Sequence, residues 1–403
     1  MIVQPPGSFC EDQGGRAIAR IGDDDRYGGT LERTTGGFRH GPLLQLLRYR
    51  KAEGVVKGDR QQGEFSSGWA LKADLALSSY LHSKGFLMSR SRFLALRHSL
   101  RLPLIAAPMF LVSGPDLVAE ACSAGIVGSF PTANCRTPDE LEAWLTQIAL
   151  RIQIKEQAEG RAAGPICPNL IVHASNPRLS DDLAVLVKHK PKLVITSVGS
   201  PASVIEPLHD IGALVLADIA SVKHAHKALA AGADGLVLLT AGAGGQTGWL
   251  NPFAFVRAVR AFYDGPMVLA GGISDGHALR AAMALGCDLA YMGTRFIATQ
   301  ESMADPAYKD MLLSSSADDI LLTKAITGLE TNMLRPSIIK AGLDPNHLPA
   351  RGAIDIAKDI SIEGRKTRRW KDIWSAGHSV SGVTSIEPVA TLVNQFEKEY
   401  RAA

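Results

Sequence analysis

The sequence predicts an α/β fold: a (β/α)8 barrel, the TIM-barrel architecture, with a small helical subdomain inserted after the eighth strand. Three observations lead there. Between Pro103 and Met292, short apolar runs alternate eight times with amphipathic helical stretches. Glycine turns follow the seventh and eighth runs, at Gly271-Gly272 and Gly293. The first run is followed by Met109-Phe-Leu-Val-Ser-Gly114, not by the GxGxxG that opens a doubly wound dinucleotide fold.

The units can be justified in order. Pro103-Leu-Ile-Ala-Ala-Pro108 is a buried strand, and Ser113 is the expected N-cap of the first helix, which Gly125 ends. Ile126–Phe130 is the second strand. Thr137-Pro-Asp-Glu140 then forms a capping box with proline at the first helical position, and Leu141, Trp144, Leu145 and Ile148 follow at helical spacing. Strands three to six are expected near Ile166–Val172, Lys192–Val198, Ala213–Asp218 and Asp234–Leu239. Their helices start near Ser180, at Ala202, after the cap Ser221, and at Pro252 after the cap Asn251. Pro266–Ala270 is strand seven, with Ser274 as the expected cap of its helix, and Asp288–Met292 is strand eight.

The flanks behave differently. Residues 1–87 carry charged and glycine-rich patches without periodicity, a composition that buries too little apolar surface to offset ordering entropy. We expect Met88 to be the native start, with 1–87 a non-native or disordered extension. The barrel is then 88–304. The punctuation by Pro306, Pro336, Pro345 and Pro349 marks an inserted helical subdomain over 305–372, with helical pieces near Ala307–Ser314, Ser337–Ala341 and Ile354–Ile360. Residues 373–403 return with Val389, Leu392, Val393 and Phe396 on one helical face that closes the barrel. The basic run Arg365–Arg369 reads as a solvated face.

Bulk properties narrow the function. A net charge of +3 gives no basis for nucleic-acid or membrane-surface binding. No run is long and apolar enough to span a bilayer. The five cysteines show no metal-type spacing and read as reduced thiols of a cytoplasmic protein, so no metal site is expected. In a barrel of this kind the chemistry belongs at the C-terminal strand ends, with phosphate held by the loops after strands seven and eight. Gly271 and Gly272 lead into a helix N-terminus, and Thr294 adds a hydroxyl donor. Met109, Asn169, Asp218 and the loop Gly242–Gly245 end other strands. Phosphate on one side with room for a flat ring fits flavin mononucleotide.

These residues resemble the nitronate monooxygenase family. The resemblance runs from Arg101 to Tyr400 and rests on Ala106-Ala-Pro-Met109, Pro168-Asn-Leu-Ile-Val-His-Ala-Ser-Asn-Pro-Arg178, Ala241-Gly-Ala-Gly-Gly245, Leu269-Ala-Gly-Gly-Ile-Ser-Asp275, Tyr291-Met-Gly-Thr-Arg-Phe296 and Ile373-Trp-Ser-Ala-Gly377. It implies noncovalent FMN, oxygen as electron acceptor, and oxidation of an alkyl nitronate to a carbonyl compound and nitrite. It implies flavin contacts at Met109, Asn169, Asp218, Gly244, Gly271, Gly272, Gly293 and Thr294. One position departs. The family usually carries histidine after the paired glycines, and here it is Gln246, whose amide cannot take a proton at neutral pH. His378, in the Ser375-Ala-Gly-His-Ser379 turn, is the candidate replacement base. The alternatives are an NAD(P)H-dependent reductase of a quinone or enoyl thioester, and a flavin-binding protein without turnover.

Overall fold

The computed structural model describes residues 88–349 and 372–403. The expected extension 1–87, the helical piece Ile354–Ile360 and the basic run Arg365–Arg369 lie outside the described residues.

Eight parallel strands close on themselves: β1 (Leu104–Ala106), β2 (Val127–Pro131), β3 (Ile166–Ile171), β4 (Leu193–Ser197), β5 (Leu214–Ile219), β6 (Gly235–Leu239), β8 (Met267–Ala270) and β9 (Leu289–Met292). Closure is made by β1 against β9, with Leu104 opposite Ala290 and Ala106 opposite Met292. The strands are short and nearly all buried, because helices cover them outside and side chains fill them inside. Ile105, Cys167, Ile195, Leu216, Val237 and Val268 form that interior cluster. Phe93, from a helix over 88–99, joins it beside Leu193, Leu214 and Leu289, the first residues of their strands. This plug fills the end opposite the strand C-termini.

Side-chain caps account for several helix starts. Thr137 Oγ1 accepts from Glu140 N, Ser221 Oγ from His224 N, and Asn251 Oδ1 from Phe253 N. Two expected caps are corrected. The helix Pro115–Ser123 starts from Gly114 without a side-chain cap, because Ser113 Oγ is engaged with Ala107 O and Met109 N in the loop before it. The helix Gly276–Leu285 is capped by Asp275, not Ser274, since the carboxylate reaches Ala278 N at 2.7 Å. The C-terminal helix Val389–Ala402 buries Val389, Leu392, Val393 and Phe396 against the barrel. Truncating Phe396 to alanine should cost about 3–5 kcal/mol, as for other large core side chains.

The segment after β9 is not purely helical, which corrects the expected subdomain. Helices Pro306–Leu313 and Arg335–Lys340 flank an antiparallel ribbon, β10 (Ile320–Thr323) and β11 (Thr331–Leu334). β11 continues onto a two-residue strand, β7 (Gly245–Gln246), in the loop after β6. The ribbon escaped periodicity because each strand is only four residues long and one partner lies far away in sequence.

Candidate active site

A cavity of about 230 Å³ opens at the C-terminal strand ends. The loop after β1 contributes Met109 and Phe110, β3 Asn169, β4 Ser197 with Val198 just beyond it, and β5 Asp218. The loops after β6 and β8 add Gly242–Gln246 and Gly271–Ile273. β9 and its turn add Tyr291–Thr294.

The Met109 wall is built around a half-buried hub, Asn134. Asn134 Nδ2 donates to Met109 O and Ser113 O, while its Oδ1 accepts from Leu111 N. These bonds hold Leu111 at φ 60°, a left-handed conformation that a leucine adopts only under constraint. Across the cavity Val198 is at φ 57°, rarer still for a β-branched residue. Strain on both rims is the kind of backbone distortion that clusters at ligand sites.

Asn169 is buried and incompletely satisfied. Its Oδ1 accepts from Ser197 Oγ at 3.2 Å, and its amide reaches Ile195 O only at 3.5 Å. Asp218 Oδ1 is buried with no partner among the described residues. Burial alone pushes its carboxyl up to about 8, so the group is largely neutral at pH 7. Burial, with Asp218 and Cys167 nearby, likewise holds the Tyr291 phenol above its ordinary value.

The turn after β8 supplies donors. Gly271 and Gly272 are at φ 116° and 75°, and a Cβ on Gly271 would meet Ala243 N at 2.6 Å, so glycine is required there. Among the described residues the N–H groups of Gly271, Gly272, Gly293 and Thr294 have no hydrogen-bond partner. The following helix N-terminus is not the anion site expected from the sequence, since Asp275 and Glu399 carboxylates already take the Ala278 and Gly276 N–H groups. Thr294 Oγ1 accepts from Gly377 N at 3.0 Å, which leaves its own hydrogen free to donate.

Gln246 lines the cavity, and its amide has no partner among the described residues. His378 does not line it. Its side chain is exposed, and only its backbone N–H engages the site, donating to Gly242 O at 3.0 Å. Tight packing of the turn brings Gly377 N to 2.6 Å from where a Gly244 Cβ would be, so backbone faces the loop and the imidazole is turned out. This corrects the expected replacement base. Among the described lining residues the only titratable side chains are Asp218, Tyr291 and Tyr308; none is His, Lys, Arg, Cys or Glu. A cluster of Asp275, His277 and Glu399 lies outside the cavity, and both its carboxylates are committed to backbone N–H groups.

Sequence reasoning missed one wall. Tyr308 stacks on Trp374 with ring centroids 5.0 Å apart and planes 9° apart, and its hydroxyl donates to Ser375 O. Both rings face the cavity from the inserted segment and its return.

A family model described as nitronate monooxygenase matches residues 91–399. The chain belongs to the nitronate monooxygenase family. It is an oxidoreductase by that membership. A nitronate monooxygenase of Paraburkholderia phytofirmans is 30% identical over 339 residues, covering 74% of this chain and 92% of that protein. A (3aS,4S,5R,7aS)-5-hydroxy-7a-methyl-1-oxo-octahydro-1H-indene-4-carboxyl-CoA dehydrogenase of Rhodococcus jostii is 28% identical, over 64% of this chain and 69% of that protein. Among solved structures, nitroalkane oxidase from Streptomyces ansochromogenes superposes with a TM-score of 0.63 at 25% identity, covering 76% of this chain and 98% of that one. FabK from Thermotoga maritima shares the fold, with a TM-score of 0.59 at 24% identity over 75% of this chain and 94% of that one.

Proposed function

We propose that this protein binds FMN noncovalently in the cavity and uses oxygen to oxidise preformed alkyl nitronates to carbonyl compounds and nitrite. The observation carrying the reading is that an amide, Gln246, faces the cavity while His378 does not, and that no ordinary base stands among the described lining residues.

The residues present fit a flavin nucleotide. Unpartnered N–H groups at Gly271, Gly272, Gly293 and Thr294, with the Thr294 hydroxyl, would take the phosphate. The orphaned Asp218 oxygen and the loosely held Asn169 amide would meet hydroxyl and ring-edge polar groups. Met109 would lie against the ring as a polarisable apolar wall, and Gly244, whose Cβ position is taken by the Gly377 backbone, would present its own backbone to the cavity. When bound, FMN supplies an electron acceptor that also reacts with oxygen.

The chain's own residues do the rest. Gln246 donates an amide hydrogen to a nitronate oxygen and orients the carbon toward the ring. Neutral Asp218 adds no negative charge to a cavity receiving an anion. Tyr308 and Trp374 exclude water on the far side. The buried free thiols at Cys122, Cys135, Cys167 and Cys287 fit a cytoplasmic enzyme.

The purified protein is expected to be yellow or to take up FMN, and to consume oxygen and release nitrite with ethyl nitronate. A protein that takes up no FMN contradicts the site assignment. A second reading, an oxidoreductase of a CoA thioester, is supported by the Rhodococcus dehydrogenase relative. Rapid anaerobic bleaching by NADH or NADPH, with no nitronate turnover, would favour a reductase over the first reading. A yellow protein inert in both assays would be a flavin binder without turnover.

A further inference from the structure

The loop after β6 is held from outside the barrel. Asn332, on β11, is 1% exposed. Its amide nitrogen donates to Ala241 O at 2.8 Å and to Ala243 O at 2.7 Å. In a trans peptide the carbonyl and the next N–H point in opposite directions. Holding the carbonyls of 241 and 243 therefore turns the N–H groups of Gly242 and Gly244 away from Asn332. Both glycines line the cavity, and neither N–H has a partner among the described residues. The intervening peptides are fixed as well, with Gly242 O accepting from His378 N and Ala243 N donating to Thr240 O at 2.9 Å. The same strand sets the next residues: Thr331 pairs with Gln246, and Thr247 N donates to Glu330 O at 3.0 Å.

We propose that Asn332 is a positioning residue that aims the Gly242 and Gly244 N–H groups and the Gln246 side chain into the cavity, which makes the inserted ribbon part of the binding site. This rests on the reading that a flavin occupies the cavity. A side chain with two donors on one nitrogen is needed, and a carboxamide provides both. A serine or threonine hydroxyl would reach one carbonyl at most.

The test is hydrogen exchange on the apoprotein, followed by FMN titration, for wild type, Asn332→Ala and Asn332→Asp. In Asn332→Ala, amide exchange is expected to quicken in 241–247 and not across the barrel, and FMN affinity to fall about tenfold, the loss of roughly one good hydrogen bond. Gln246→Ala should raise the KM for nitronate in the wild-type background and have little further effect beside Asn332→Ala. Asn332→Asp keeps the volume and has a proton to donate only while neutral, so its FMN affinity should decline as pH rises, unlike that of Asn332→Ala. If Asn332→Ala does not fold, the aspartate variant decides by the same readouts. Wild-type exchange in 241–247 with unchanged FMN affinity would overturn the proposal, and so would uniform loosening of the whole chain with additive effects of Gln246→Ala. A wild-type protein that takes up no FMN would overturn the flavin reading instead, and loop exchange alone would then decide the role of Asn332.

Discussion

Two glycine-rich loops meet in the cavity and are built in opposite ways. The turn after β8 is local: five residues join strand to helix, Gly271 and Gly272 are at positive φ, and Asp275 caps the helix. The loop after β6 is equally rich in glycine yet holds its shape through Asn332, about ninety residues away. The first should be rigid wherever the barrel folds. The second depends on the inserted ribbon. One site therefore combines a fixed cradle with a wall that a distant segment sets.

The largest effect should come from breaking the local turn. Gly271→Ala drives a Cβ into Ala243 N and Thr240 Oγ1 and also strains φ, so FMN affinity should fall by about 100-fold or more in titrations. Gly272→Ala meets open space and carries only the φ penalty of about 1–2 kcal/mol, visible as a lower Tm with weaker loss of binding.

Gln246→Ala should come next, lowering kcat/KM for nitronate by about ten- to 100-fold through loss of a hydrogen bond to an anion. His378→Ala should change neither rate nor affinity, because its imidazole is outside the cavity.

Asp218 sharpens the contrast by pH. Its folded pKa is raised above the ordinary carboxyl value, so the folded state holds the extra proton and stability falls as pH rises from about 4 towards about 8. Asp218→Asn removes that dependence. The apoprotein variant should melt higher than wild type at pH 7.5, with the gap closing near pH 4.5, while FMN binding weakens.

The smallest measurable effect belongs to the barrel frame. His209 Nε2 lies 2.8 Å from Asp234 Oδ2, and this bond, with the charge, raises the histidine pKa despite partial burial. Its contribution is fully present below about pH 6.5 and is lost as pH rises through the raised folded value. The pair is part-exposed, so His209→Ala should cost below about 1 kcal/mol and leave FMN affinity unchanged.

What could be read from the sequence follows the same division. Strands and helices were legible because buried runs and helical periodicity are local, and the true caps lay within one residue of the expected ones. Ser113 and Ser274 misled because a hydroxyl beside a helix start can bind elsewhere, or yield to a neighbouring carboxylate. Met109, Asn169, Asp218, Gly271 and Gly293 could be brought together because a barrel gathers its strand ends. Asn332, Tyr308 and Trp374 could not, because their contacts arise from how an insertion folds back. His378 was misplaced by one turn residue: Ser379 lines the cavity and His378 faces solvent.

The most direct measurement of the central claim is nitrite release from ethyl nitronate and from neutral nitroethane, by wild type and by Gln246→His, at pH 7.5. The missing base predicts that wild type turns over the nitronate alone, and that the histidine variant gains nitroethane oxidation. Equal wild-type rates on both substrates would contradict it, because the cavity would then hold a base that Gln246 cannot be.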